Sequence, residues 1–88
     1  MDIKVHISPL LSHQTNNQRV AEVNGNTVGE CLKHLVEQVP RLELFDKNGE
    51  LQSYLLISFN KEVICQKELD KPVKDGDELS IMLVDIGG

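Results

Sequence analysis

The sequence predicts a two-layer α+β domain, with one main helix packed on one face of a mixed four- to five-stranded sheet. Three observations carry this. Apolar and polar residues alternate with period two in Ile3-Lys4-Val5-His6-Ile7, as a strand with one buried face requires. Val28, Cys31, Leu32, Leu35, Val36 and Val39 keep the i, i+3, i+4, i+7 spacing of an amphipathic helix. Residues 54–59 and 78–84 are β-rich runs that supply further strands.

Each element has a local cause. Pro9 stops the first strand, because proline cannot donate to a ladder. Residues 12–18 read as a polar connection, and residues 19–23 as a second, shorter strand ending at the turn Asn24-Gly25-Asn26. Thr27 is the N-cap of the helix, and Glu30 three residues on completes a capping box. Glu30, Lys33, His34, Glu37 and Gln38 fill the polar face, and Pro40 ends the run. Gly29 costs roughly 1 kcal/mol of helix propensity relative to Ala; its usual benefit is a close backbone approach. Residues 41–53 read as a surface connection with a turn at Asp46-Lys47-Asn48-Gly49. Residues 54–59 follow as a central strand, Asn60-Lys61 as a tight turn, and residues 62–65 as the returning strand. The turn Lys74-Asp75-Gly76-Asp77 leads into the last strand, residues 78–84.

Composition narrows the function. The 88 residues make one small domain, with residues 1–84 as its body and 85–88 as a flexible tail. Such a chain buries about 60–70% of its unfolded surface, which leaves little room for an internal substrate cavity. A net charge of −5 and 3% aromatic residues without Trp disfavour nucleic acid, which needs clustered cations and stacking platforms. No apolar run reaches membrane-span length, and the acidic start Met1-Asp2 is wrong for a signal peptide. Two cysteines, Cys31 and Cys65, make no disulfide framework, so a cytoplasmic, reducing location is expected.

The tail is the most informative segment. The last strand runs into Asp85-Ile86-Gly87-Gly88. Without Cβ atoms, two glycines can thread a narrow channel in extended form and present a carboxylate to another protein.

At this point the chain resembles the ThiS/MoaD family of sulfur carriers, which have the ubiquitin-like β-grasp fold. The resemblance runs over nearly the whole length. It rests on Gly25-Asn26-Thr27-Val28-Gly29-Glu30-Cys31-Leu32, Pro40-Arg41-Leu42, Asp46-Lys47-Asn48-Gly49-Glu50-Leu51, Phe59-Asn60-Lys61-Glu62, Asp75-Gly76-Asp77-Glu78-Leu79 and the terminal Gly87-Gly88. It implies a carrier and not an enzyme. An ATP-dependent adenylyltransferase of the ubiquitin-activating type would adenylate the carboxylate of Gly88, and a sulfur donor would convert it to a thiocarboxylate. Gly87 would be the spacer that fits the channel. The carrier itself would bind no cofactor and no metal, and ATP would belong to the activating enzyme.

Two features depart from the family pattern. The tail reads Leu83-Val84-Asp85-Ile86-Gly87-Gly88, where many members carry Pro-Pro-Val-x-Gly-Gly. Lys61 replaces the usual hairpin glycine. The long connection at 41–53 looks like that of the molybdopterin synthase small subunit or of the related carriers serving cysteine synthesis; the first implies molybdenum cofactor biosynthesis and the large synthase subunit as sulfur acceptor. Carriers for cysteine or thiamine synthesis, a ubiquitin-like covalent modifier of lysines, and a non-covalent module with an incidental Gly-Gly are the alternatives.

The remaining constellations read as structure. Cys31 and His34 lie at i, i+3 and Glu30 and His34 at i, i+4, but nothing nearby in sequence completes the set of three or four converging ligands that a metal needs; Cys31 reads as a small hydrophobe. Cys65 is expected to pack in the sheet. Asp46-Lys47-Asn48-Gly49 lacks the glycine and glutamate positions of a calcium loop. On the last strand, Leu79, Ile81 and Leu83 share one face, and Met82, Val84 and Ile86 lie on the other. If the first set faces the helix, the second, with Tyr54 and Leu56, forms an apolar docking patch leading to the tail.

Overall fold

The computed structural model describes residues 2–84. Five strands form one mixed sheet: β1 (Ile3–Ile7), β2 (Val20–Val23), β3 (Leu55–Phe59), β4 (Glu62–Ile64) and β5 (Glu78–Leu83), in the order β2-β1-β5-β3-β4. The pair β1 and β5 is parallel, and every other neighbouring pair is antiparallel. The two helices are α1 (Ser12–Thr15) and α2 (Val28–Gln38). Strand β5 occupies the centre of the sheet, and β3, the expected central strand, lies one place further out.

The core is the single layer between α2 and the sheet. Val28, Cys31, Leu32 and Leu35 from α2 are buried with Ile3, Val5, Ile7, Ala21, Val23, Leu55, Ile57, Leu79 and Ile81 from the strands. Alternation does the sorting: odd positions of β1 and β5 point inward, and Lys4, His6, Ser80 and Met82 point to the opposite face. That second face has no helix over it among the described elements.

Helix α2 begins where the sequence placed it. The Thr27 hydroxyl accepts the N–H of Glu30 at 3.2 Å. The Glu30 carboxylate reaches back one residue beyond the cap, to the N–H of Asn26 at 2.9 Å. The next two orphan donors of the first turn are satisfied from outside: Val28 N–H donates to Lys71 O and Gly29 N–H to Leu69 O. Gly29 permits that approach, since a Cβ would stand 3.2 Å from the Leu69 oxygen. Gly25 serves a tighter one, for a Cβ there would meet the Cys31 nitrogen at 2.8 Å.

Three expectations are corrected. Residues 12–18 are not a plain connection: after Ser8 caps a 3₁₀ turn at Pro9–Leu11, α1 follows and ends at Asn16 and Asn17, both with positive φ. Leu11 and Thr15 are buried, so this segment plugs the end of the core. The connection at 41–53 is not wholly superficial either. Leu42 and Leu44 are fully buried, and Phe45 bridges to Leu51. Its turn is as expected, with Asp46 Oδ1 accepting the N–H groups of Asn48 and Glu50 and Gly49 at φ +82°. Finally, Cys65 is exposed and not packed in the sheet. Strand β4 stops at Ile64, and Cys65 starts the 3₁₀ turn Gln66–Glu68, with its N–H bonded to the Glu68 carboxylate.

Candidate functional site

The face of the sheet opposite α2 is read most directly from its register. Leu56 on β3 pairs with Met82 on β5, and Ser58 pairs with Ser80. Val63 on β4 stands opposite Ser58, while His6 on β1 stands opposite Ser80 on one side and Val20 on the other. One cross-sheet row therefore reads Val20, His6, Ser80, Ser58, Val63. The next row toward the C-terminal end of β5 holds Leu56 and Met82.

This open face brings together part of the expected patch. Met82 is 36% exposed, and Leu56 beside it is half-buried. The pairing continues past the strands, because the Val84 N–H donates to the Tyr54 carbonyl at 2.8 Å. Val84 is half-buried. Tyr54 is drawn to the margin of the core instead of lying free on the face. Ile86, Gly87 and Gly88 lie outside the described residues. The sequence reading missed Val63, 59% exposed, and Val20, 44% exposed. Alternation along β2 and β4 was the available signal, but both strands are too short for it to stand out.

The rest of the face is polar. His6 Nε2 contacts Glu78 Oε1, and this hydrogen bond is the main reason the Glu78 carboxyl is held below the usual glutamate range. Nearby Lys4 and Lys61 add to the effect. Beside them Asp77 is almost fully buried, accepting from Asn60 Nδ2 at 3.1 Å and from the Lys74 N–H at 2.8 Å. Those bonds lower its carboxyl as well. Asn60 returns the favour to β5, since its Oδ1 accepts the Glu78 N–H and its own N–H donates to the Glu78 carbonyl.

The other groups weighed from the sequence sit elsewhere. Cys31 is buried, and burial pushes its thiol up, with the Glu30 carboxylate adding to the shift. His34 is engaged as an acceptor, through Nδ1, of the Asn24 N–H. Among the described residues no three His, Cys, Asp or Glu side chains converge on a metal position. No helix among them is long and apolar enough to cross a membrane. A cleft of about 580 Å³ elsewhere is lined by amides such as Gln14, Gln18 and Gln38, and by Arg41.

Such an arrangement suits docking: a rigid face, partly apolar, ending in the central strand that leads to the tail. Comparison with known proteins bears on the fold and the family. No functionally curated protein matches the chain by sequence. Solved structures do. The chain is similar to small archaeal modifier protein 1 of Haloferax volcanii, at 27% identity over the full length of both chains with a TM-score of 0.86. It is also similar to a chain of the BexX/CysO complex of Amycolatopsis orientalis, at 26% identity over 98% of this chain and 99% of that one, with a TM-score of 0.81. With a chain of the two-subunit molybdopterin-converting factor complex of Helicobacter pylori it shares the fold, at 22% identity over all of both chains and a TM-score of 0.67. These likenesses bear out the β-grasp, ubiquitin-like architecture. The family model of the ThiS family matches residues 11–88, and the chain belongs to that family.

Proposed function

We propose that this protein is a sulfur carrier loaded at the carboxylate of Gly88. An ATP-dependent adenylyltransferase of the ubiquitin-activating type would join that carboxylate to AMP, giving the poor electrophile a good leaving group. A sulfur donor would then displace AMP and leave a thiocarboxylate. Nothing in this sequence of steps asks for a base, metal or cofactor from the carrier; it has to dock and to deliver its tail. Gly87 adds the slim spacer a narrow channel needs.

One observation supports this reading above the rest. In a ThiS-family chain, the central strand β5 carries the exposed Met82 and leads directly toward Gly87-Gly88. The long 41–53 connection suits the large subunit of molybdopterin synthase as acceptor and fits carriers for cysteine synthesis as well; a cysteine- or thiamine-pathway carrier is the alternative. A second reading, covalent modification of lysines, draws on the full-length similarity to small archaeal modifier protein 1.

Intact mass separates them. After incubation with ATP, a candidate adenylyltransferase and a sulfur source, the carrier reading expects a gain matching one carboxyl oxygen replaced by sulfur. The gain is absent when Gly88 is deleted. Isopeptide-linked conjugates in place of free thiocarboxylate would establish the modifier. Neither product with any activating enzyme would overturn both.

A further inference from the structure

Lys61 occupies the second central position of the hairpin between β3 and β4 with φ +75°, a conformation that only glycine adopts without steric cost. The backbone is held there from outside the residue. Asn60, itself at φ +50°, is tied to Glu78 through both its N–H and its side-chain oxygen, and to Asp77 through its amide nitrogen. Asp77 in turn is fixed by the Lys74 N–H. This clamp keeps the left-handed turn whatever side chain follows Asn60. A strained residue that its surroundings over-determine is a reason to ask what its side chain does.

The side chain lines a cleft of about 260 Å³ on the open face, together with His6, Glu78 and Ser80. Glu78 is already bonded to His6. Lys61 makes no ion pair among the described residues. On a chain of net charge −5, an acidic group of a docking protein is best accepted at a cation that no ion pair occupies, and the Glu78 carboxylate in the same cleft is already engaged by His6.

We propose that Lys61 holds this strained position to offer its ammonium, beside His6, to a carboxylate side chain of the adenylating enzyme docked on the open face. The proposal rests on the carrier reading above. Leu56 and Met82 give that contact its apolar part, and Lys61 fixes its orientation.

The test measures pyrophosphate release by an adenylating enzyme that loads the wild-type protein, as carrier concentration and salt are varied. Three carriers are compared: wild type, Lys61→Gly and Lys61→Arg. Lys61→Gly is expected to keep or raise the thermal midpoint, since it relieves the left-handed strain. It should also lower kcat/KM by about fivefold, through KM, and flatten the salt dependence. Lys61→Arg should restore most of the loss while keeping the strain. Equal kcat/KM for wild type and Lys61→Gly overturns the proposal and leaves the carrier reading intact, as does a Lys61→Arg variant as poor as Lys61→Gly. Failure of the wild-type protein to be adenylated by any such enzyme overturns both.

Discussion

The side-chain amide of Gln38 donates to the main-chain carbonyl of Glu22 at 2.8 Å, which ties the last turn of α2 to the outer edge of β2. Strand β2 bonds β1 through its odd residues, as the Ile7 N–H to Arg19 carbonyl bond at its start shows, so Val20 and Glu22 direct their backbone groups outward. Both outward carbonyls are taken. Gln18 Nε2 covers that of Val20 at 3.0 Å, and Gln38 covers that of Glu22. One turn back on the same stripe of α2, His34 takes the Asn24 N–H at 2.8 Å.

An exposed edge strand is a template for another chain, and these amides blunt it. Replacing both Gln18 and Gln38 with Ala removes two hydrogen bonds worth about 0.5–1.5 kcal/mol each. The double variant should also self-associate at lower concentration than the wild type in sedimentation. A double variant that stays monomeric at every concentration would mean the amides only stiffen the strand.

The two thiols should behave oppositely. Cys31 is buried, with its thiol pushed up by burial and then by Glu30, so the reactive thiolate is disfavoured. Cys65 is exposed. Brief iodoacetamide treatment of the folded protein should add one adduct, on Cys65, and treatment in denaturant should add two. A peptide map with Cys31 labelled under native conditions would contradict its place in the core.

Much of this architecture was legible in the sequence, and the failures have a common cause. The period-two alternation of β1 and the helical stripe from Val28 onward report burial directly, because each is long enough for one face to be distinguished from the other. Leu42 and Leu44 carry no such signal: they are single apolar anchors in an irregular segment, and only the assembled core shows that they fill it. Cys65 was misplaced because a polar-flanked strand end looks the same whether the chain continues in the sheet or turns away. The clamp around Asn60 was invisible for a different reason. Asp77 lies seventeen residues from Asn60, and nothing local in either segment announces the other.

That clamp makes acid stability a readable property. The Asp77 carboxyl is held low first by the Asn60 side chain and then by the Lys74 N–H. Glu68 is held low by the Cys65 N–H and by Lys71, and Glu78 by His6. A carboxyl whose folded pKa lies below its unfolded value, about 3.9 for Asp and 4.3 for Glu, binds fewer protons when folded. Its stabilisation is complete above the unfolded pKa and is lost as pH falls through the folded one. The thermal midpoint should therefore fall as pH drops below about 4.5. Asp77→Asn should lose stability at neutral pH and show a shallower acid decline. Parallel acid profiles for variant and wild type would remove Asp77 from the account.

Met82 separates docking from folding. It is 36% exposed beside Leu56 on the face that α2 leaves uncovered, so a charge there can reach water without entering the core. Met82→Glu should change stability by no more than about 1 kcal/mol, within the range of partly exposed substitutions. A protein docked over the Leu56–Met82 row would have to bury that new carboxylate against an apolar surface, which is costly when no cation answers it. Loading of Gly88 by an adenylating enzyme should then fall about tenfold or more at limiting carrier, while circular dichroism and thermal midpoint stay near wild type. Val63→Glu, on the same face but in the neighbouring row and two strands from Met82, serves as the positional control and should lower loading less. If Met82→Glu is loaded as fast as wild type, the enzyme approaches the tail from another side, and the open face is free for a different partner.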